Sequence, residues 1–365
     1  MIKYEDILDK IKYFMSKKAS GYSMPLMPHY NRIVGNVDTG VYTVITGMPA
    51  SGSSSFLNLN YVLGVLLQWY NNPDKIQHPM KIFYFTLKSS EAKLIEQLIC
   101  LYLKLVYNYR IDIPTLNSQA NALYDLGENQ NILDALEESK HFFEEILNDE
   151  VLVIYDNYMT TNAISNVISE YMLSIGYSDD TGSYQLLEEF DNSYVSLIVD
   201  STEDLKADDN KFNIITSKEL QSKFNNMVTR LVTMFNINAT IIVPIVMPFV
   251  RSPRDTEPSQ ANLGAYARSC DRGVVLYNPL ANNNRKFYQE AETFTGSASG
   301  VQLMRYWFVV RNTEGIDSSY DRILFLPGTG FMIEHNKNSY VDDVSIVETI
   351  LMSAEYSPFH HELNS

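Results

Sequence analysis

The sequence predicts an α/β fold in which a mostly parallel sheet is flanked by helices on both faces. Short runs rich in β-branched and aromatic residues alternate along the chain with longer segments of helical periodicity. One of these runs, Leu197–Val199, is apolar without interruption, which is typical of a strand buried on both faces. The first run, Val41–Thr46, leads through a glycine-bounded loop into a helical segment, Phe56–Gln68. This strand–loop–helix order is typical of parallel α/β proteins.

Strands and helices follow one another in a regular order along the chain. The predicted strands are Val41–Thr46, Lys81–Leu87, Val151–Tyr155, Val195–Asp200, Ala239–Ile245, Gly273–Tyr277, Tyr306–Arg311 and Arg322–Leu326. A helical insertion is predicted over about residues 90–150, with helices at Glu91–Tyr109 and Asn131–Leu147. Thr160 to Asn162 predict the cap of a helix that runs to about Ile175, and Ser217–Phe235 predicts another. The polar segment 176–193 predicts a surface excursion.

The predicted core covers residues 19–340, and a short segment lies on either side of it. Residues 1–18 predict an N-terminal amphipathic helix, Ile2–Lys17, because apolar residues recur there at helical spacing. Residues 341–365 predict a final helix, Val344–Met352, followed by a polar tail.

Composition excludes several classes of protein. The 365 residues, 45% of them hydrophobic, are enough for one large or two ordinary domains with a real core. A net charge of −16 argues against a protein whose main task is to grip nucleic-acid backbone, although a local basic channel stays open. Two cysteines give neither a disulfide framework nor a zinc pattern. With no signal peptide or membrane-length apolar run, we expect a cytoplasmic protein without a membrane partner.

The segment Gly47–Ser54 carries the main chemical signal. It follows the phosphate-loop pattern G-x-x-x-x-G-K-[ST] except at Ser53, which stands in place of the lysine. Backbone N–H groups near Ser51 and Gly52 are expected to face phosphate oxygens, and Ser54 to face Mg²⁺, if ATP and Mg²⁺ bind. The cation that neutralises the terminal phosphates is missing. The alternative is an ordinary turn between a strand and a helix.

The order of features resembles the RecA-like motor domain of DnaB-type replicative helicases, most of all the compact bacteriophage forms. The resemblance covers about residues 20–335 and lacks the family's N-terminal primase-interacting domain. It is carried by the lead-in from Gly21 to Gly40, Gly47–Ser54, Phe83–Lys88, Leu197–Asp200, Val243–Val246 and Tyr306–Asn312.

The resemblance implies roles for individual residues. Ser54 and Asp200 would lie on the Mg²⁺ side of a nucleotide, and Arg311 would reach the nucleotide of a neighbouring subunit. The family's catalytic glutamate, sensor glutamine and first cation of K-x-R-N are replaced here, by Lys88, Val246 and Val309. Together with Ser53, these changes fall on catalytic positions and spare the strands. The sequence therefore predicts a RecA-like fold that has lost ATP hydrolysis.

Alternatives stay open for each of these residues. Lys88 is either a relocated phosphate ligand, at the end of a strand expected beside the phosphate loop, or a solvated surface lysine. Asp200 is either a Mg²⁺-side carboxylate or a polar residue that closes a strand. Arg311 either contacts a neighbour's nucleotide or pairs with local carboxylates.

One polar loop of the predicted core is a candidate for contact with DNA. In the related helicases, loops after the central strands line a pore that holds single-stranded DNA. The corresponding loop, Met247–Leu263, carries Arg251 and Arg254, which could form a basic funnel around a ring. The alternative is that both are solvated and balanced by Asp255 and Glu257.

The best functional interpretation is a DnaB/RecA-like pseudo-ATPase that acts as a non-motor accessory or assembly protein in phage-type DNA replication or virion assembly. It would form homo-oligomers, or hetero-oligomers with a replication or virion protein, with the N-terminal helix docking on a neighbouring subunit as the family's linker helix does. One alternative is an active DNA helicase in which Lys88 binds phosphate and Glu203 or Asp204 supplies a carboxylate. Another is a structural protein that uses the fold only to build a ring or filament.

Overall fold

The structure, a computed structural model, describes residues 21–119, 126–157, 159–179, 183–207, 216–246, 257–280, 285–295, 300–313, 315 and 319–334. The two predicted terminal helices, Ile2–Lys17 and Val344–Met352, lie outside these residues. Arg251 and Arg254 also lie outside them, so the expected DNA contacts stay a prediction.

The described part of the chain forms one nine-stranded sheet and one short hairpin. The strands are β1 (Tyr42–Gly47), β2 (Met80–Thr86), β3 (Leu152–Tyr155), β4 (Gly176–Ser178), β5 (Tyr184–Leu186), β6 (Tyr194–Asp200), β7 (Asn238–Val243), β8 (Arg272–Tyr277), β9 (Met304–Asn312), β10 (Ser319–Leu326) and β11 (Phe331–Glu334). The sheet order is β11-β10-β9-β8-β1-β7-β6-β2-β3. From β8 to β3 all neighbours pair in parallel, and β9, β10 and β11 add antiparallel strands at one edge.

Helices connect these strands. They are α1 (Pro28–Val34), α2 (Ser53–Leu57, a π-helical turn Asn58–Leu63, then Gly64–Tyr70), α3 (Glu91–Tyr107), α4 (Ile113–Leu116), α5 (Gln130–Asn148), α6 (Thr161–Ile175), α7 (Ser217–Phe235) and α8 (Arg285–Thr295). The side chain of Thr160 accepts a hydrogen bond from the backbone N–H of Ala163, which is the predicted cap of α6. No helix among the described residues is both long and apolar enough to cross a lipid bilayer.

The sheet separates two apolar layers. Alternate residues of each central strand face opposite layers, because side chains in a strand have a period of two. Ile45 and Ile198 pack with α2, α3 and α5 on one face, and Val44 and Leu197 pack with α6 and α7 on the other. Burial on both faces explains the uninterrupted apolar run in β6. The mostly parallel sheet with helices on both sides confirms the predicted fold class.

Four elements lie where the sequence had predicted no regular structure: α1, α8, β11 and the hairpin β4–β5. The N-terminus of α1 is capped from a distance, since the Glu334 carboxylate accepts hydrogen bonds from the backbone N–H groups of His29 and Tyr30. The predicted strand Ala239–Ile245 ends at Val243, immediately before Pro244. Proline lacks the N–H group that a central strand must donate, so the sheet cannot continue there.

Candidate functional site

The loop Gly47–Ser54 lies at the edge where the parallel strands end. It leaves β1 between β7 and β8 and enters α2. The backbone N–H of Met48 donates to the carbonyl of Leu276 in β8 at 3.1 Å, and the N–H of Ser51 donates to the Met48 carbonyl at 3.0 Å. Ala50 and Gly52 both have positive φ angles, of 56° and 82°. These bonds and dihedrals turn the chain sharply between the strand and the helix.

The loop leaves a set of donors without protein partners. Among the described residues, no acceptor is bonded to the backbone N–H groups of Gly52, Ser53, Ser54 and Ser55. These four groups open the N-terminal turn of α2, where the helix dipole favours an anion. The arrangement is therefore chemically suited to phosphate oxygens.

A side chain at either glycine of the loop would displace its neighbours, and the positive φ angle of Gly52 favours glycine there in any case. A Cβ atom on Gly47 would lie 2.3 Å from the Oγ atoms of Ser51 and Ser53, which bond each other at 3.0 Å. A Cβ atom on Gly52 would lie 2.2 Å from the Cε of Met332 in β11. The backbone conformation thus favours glycine at position 52 whether or not phosphate binds. Ser53 contributes a hydroxyl over Gly47 where the phosphate-loop pattern has a lysine.

Ser54 and Asp200 come together across the ends of β1 and β6. Asp200 is 8% exposed, and burial raises the pKa of its carboxyl above the ordinary range. The hydroxyls of Ser54 and Tyr84 and the charge of Lys88 act in the opposite direction and lower this pKa. Oδ1 of Asp200 is buried without a hydrogen-bond partner among the described residues. A hydroxyl beside an unpartnered carboxylate oxygen fits Mg²⁺, which prefers oxygen ligands.

Lys88 follows β2, which is not beside β1 as expected, because β7 and β6 lie between them. Its Nζ lies 3.0 Å from Oε2 of Glu203, with 45% of the lysine side chain and 60% of the glutamate side chain exposed. Glu203 and Asp204 lie in the turn Thr202–Asp204 directly after β6. Lys88 therefore lies on the Asp200 side of the site and is paired with a carboxylate.

The other two positions where the resemblance predicts catalytic groups carry no polar side chain. Val246 follows β7 and is 41% exposed, while Val309 is completely buried within β9. Arg311 donates from Nε to the carbonyl of Cys270 and from Nη2 to the carbonyl of Arg268 at 3.3 Å. No carboxylate among the described residues forms an ion pair with Arg311.

Two residues that contact the loop gave no sequence signal. Nε of Arg305, at the start of β9, donates to the carbonyl of Ala50 at 3.0 Å. Nδ2 of Asn278, just after β8, donates to the same carbonyl at 3.3 Å. Arg305 is only 4% exposed, and its guanidinium lies 4.7 Å from the ring centroid of Phe325. Neither residue belongs to a motif, and only the pairing of β8 with β1 and β9 brings them to the loop.

A second group of metal-ligand side chains lies elsewhere in the molecule. Ligand atoms of His29, Asp321 and Glu334 lie within 4.8 Å of one another. His29 Nδ1 lies 2.7 Å from Asp321 Oδ2, and Trp307 Nε1 donates to Glu334 at 2.8 Å. With the capping of α1 by Glu334, these hydrogen bonds account for the cluster without a cation.

Comparison with known proteins places the fold. No protein-family model and no curated protein sequence matches the chain. Solved structures do match, at 13% sequence identity and a TM-score of 0.60. One is a DnaB-like replicative helicase, described with its interactions with primase, with 92% of this chain and 69% of that chain covered. Another is the ATPase domain of G40P, with 91% of this chain and 98% of that chain covered.

The chain has the fold of a DnaB-like helicase ATPase domain. At this level of identity, the likeness to DnaB-like domains shows the RecA-like α/β architecture and leaves the chemistry to the site residues.

Proposed function

We propose that this chain is a degenerate DnaB/RecA-like P-loop protein that binds ATP with Mg²⁺ but does not hydrolyse it at a motor's rate. It acts as a non-motor accessory or assembly protein in phage-type DNA replication or virion assembly. Its output is binding, to copies of itself or to a replication or virion protein.

The observation that carries this proposal is the pair Lys88–Glu203 at the end of β2. A lysine tied to a carboxylate at 3.0 Å cannot act as the general base that a glutamate would supply there. Loss of a positioned base typically costs about 10²–10⁴ in rate. Loss of a cation that stabilises the transition state costs about 10³–10⁵. The two losses do not simply multiply, but either one brings turnover close to background.

Retained binding is supported by the other side of the site. The free N–H groups at the start of α2 are suited to phosphate oxygens, and the unpartnered Oδ1 of Asp200 near Ser54 is suited to Mg²⁺. These residues would hold a magnesium nucleotide. When bound, that nucleotide would supply a charged group that subunit contacts can recognise.

A binding role is also supported by the charge of the chain. A net charge of −16 suits protein partners better than a continuous grip on phosphate backbone. The DnaB-like helicase with the same fold is described with primase, which makes a replication protein a reasonable first partner to test. Contact of Arg251 and Arg254 with single-stranded DNA stays part of the proposal.

The proposal can be tested by an unwinding assay on a forked DNA duplex together with sedimentation of the same sample. We expect no ATP-dependent unwinding and an oligomer whose size or stability changes when ATP and Mg²⁺ are added. Gly52→Val, with circular dichroism to verify that it is folded, is the loop control, because a side chain at a φ of 82° disrupts the loop. Unwinding by the wild-type chain would contradict the proposal, and nucleotide-independent assembly would favour the purely structural ring or filament.

One observation favours a second candidate, an active helicase with relocated catalytic groups. The charge of Lys88 acts on Asp200, and Glu203 places a carboxylate at the same rim. In this case Lys88→Ala and Glu203→Gln would each abolish ATP hydrolysis, which the proposed pseudo-ATPase would not show in the first place.

A further inference from the structure

Arg305 is the residue whose environment the proposed function leaves unexplained. It lies at the start of β9, where β9 pairs antiparallel with β8 and β8 pairs parallel with β1. This register brings Arg305 to the phosphate loop, although it lies 255 positions after Ala50 in the sequence. No motif in the sequence assigns a role to it.

The guanidinium of Arg305 is held firmly in place. Nε donates to the carbonyl of Ala50 at 3.0 Å, and Nη1 donates to the carbonyls of Gln302 and Met304 at 2.9 and 2.6 Å. The ring of Phe325 lies 4.7 Å away, within the range of a cation–π contact. These contacts fix both the position of the charge and the conformation of the loop at Ala50, whose φ angle is 56°.

The charge of Arg305 lacks an anionic partner among the described residues. None of their carboxylates forms an ion pair with Arg305, although only 4% of the residue is exposed to solvent. Burial lowers the pKa of the guanidinium to about 10, so the group stays charged at neutral pH. An arginine this buried is ordinarily paired, because an isolated charge in a protein interior is costly.

Lys88 is a weaker candidate for the missing positive charge. Its ammonium is half exposed and is already paired with Glu203. Arg305 is buried, unpaired within the described chain and bonded to the loop itself. The interaction of a buried charge with a phosphate is also less screened than that of an exposed one.

We propose that Arg305 takes over the electrostatic role of the absent loop lysine, holding the phosphate loop through Ala50 and stabilising a bound nucleoside di- or triphosphate. Arg305 bonds to the carbonyl of Ala50 and acts on the phosphates by its charge across the loop, whereas the free N–H groups of α2 would contact the anion directly. Because its effect is electrostatic, it grows with the number of phosphate charges. This inference rests on the proposed nucleotide site.

The test is a competition experiment with ATP, ADP and AMP against a fluorescent ATP analogue, in the presence of Mg²⁺. We expect Arg305→Gln to weaken ATP binding by about tenfold or more, ADP less, and AMP by about twofold or less. Arg305→Lys keeps the charge and should restore most of the preference for ATP over AMP.

Arg322→Gln is the matched control. Arg322 in β10 is also largely buried and lies 4.6 Å from the centroid of an aromatic ring, Phe294, but it pairs with Glu290. The substitution Arg322→Gln should leave the ratios among the ATP, ADP and AMP affinities unchanged. Circular dichroism of each variant verifies folding, and if Arg305→Gln does not fold, Arg305→Met, which also removes the charge, replaces it in the comparison with Arg305→Lys.

The possible failures can be distinguished. Equal weakening of ATP, ADP and AMP by both Arg305 variants would show a purely structural role and overturn the inference, as would unchanged affinities. Absence of ATP binding by the wild-type chain would overturn the proposed nucleotide site itself.

Discussion

The loop side and the strand-tip side of the candidate site differ in what they retain. The loop side, Gly47–Ser54 with Asp200, keeps free N–H donors and a buried carboxylate beside a hydroxyl. The strand-tip side, where the resemblance to DnaB-type helicases predicts catalytic groups after β2 and β7 and in β9, has Lys88 paired with Glu203 and valines at 246 and 309. Gly52 is also favoured by its φ angle of 82°, whereas Lys88 and Val246 are partly exposed and no core contact requires a catalytic side chain there. Features that serve the fold as well as binding are thus present, and the proposed loss of hydrolysis rests on the residues at the strand-tip side.

The strongest way to break this comparison is a side chain at position 52. Gly52→Val places a β-branched residue at a φ of 82° and against Met332. Backbone strain of about 1–3 kcal/mol predicts a loss of unfolding free energy of about 2 kcal/mol, since the flexible end of Met332 can move aside. Urea denaturation would measure it. Gly328→Ala is the control, because its Cβ would meet Asp112 at an ordinary 3.5 Å. Equal stability of the two variants would show that the loop does not adopt this conformation.

An effect of intermediate size is expected on the unfolding free energy when Asp200 is replaced. The pKa of its carboxyl is raised from 3.8 by burial, so its contribution to stability is present below pH 3.8 and is lost as pH rises through the folded-state pKa. Asp200→Asn removes the buried charge that causes this loss of stability. It should therefore raise the unfolding free energy at pH 7 by about 1 kcal/mol. The gain should shrink as the pH is lowered toward 3.8.

Thermal unfolding over this pH range, without Mg²⁺, would measure the effect. Glu150→Gln is the control of opposite sign, because Lys81 lowers the pKa of the exposed Glu150 carboxyl. A variant Asp200→Asn that is less stable than wild type at pH 7 would show that the carboxylate is well satisfied without a cation.

The smallest effect is expected for a substitution on the strand-tip side, at Lys88. Lys88→Ala removes an exposed ion pair, so the unfolding free energy should change by about 0.5 kcal/mol or less. ATP affinity should stay within about threefold of wild type, because Arg305 rather than Lys88 supplies the charge. Titration of a fluorescent ATP analogue would measure this affinity. Loss of binding would identify Lys88 as a phosphate ligand and favour the relocated helicase.

Much of the fold could be predicted from the sequence. Every predicted strand is present, since burial on both faces leaves an apolar signature that is local in the chain. Elements defined by distant contacts could not be predicted. The helix α1 is only seven residues long and depends on a cap from Glu334, about three hundred positions away.

The candidate site likewise contains residues that local sequence patterns predict and residues that only distant strand pairing brings together. The loop was predicted from its motif, and Ser54 and Asp200 from the resemblance to DnaB-type helicases. Arg305 and Asn278 were missed, because only the register of β8 with β1 and of β9 with β8 brings them to Ala50. The pairing of Lys88 with Glu203 depends on the side-by-side placement of β2 and β6.

The central claim is tested most directly by measuring bound ATP and released phosphate in one purified sample, with Mg²⁺ and with or without single-stranded DNA. We predict saturable ATP binding that Gly52→Val abolishes, and phosphate release that stays at background under both conditions. Phosphate release that single-stranded DNA stimulates would contradict the account and identify the chain as a working helicase.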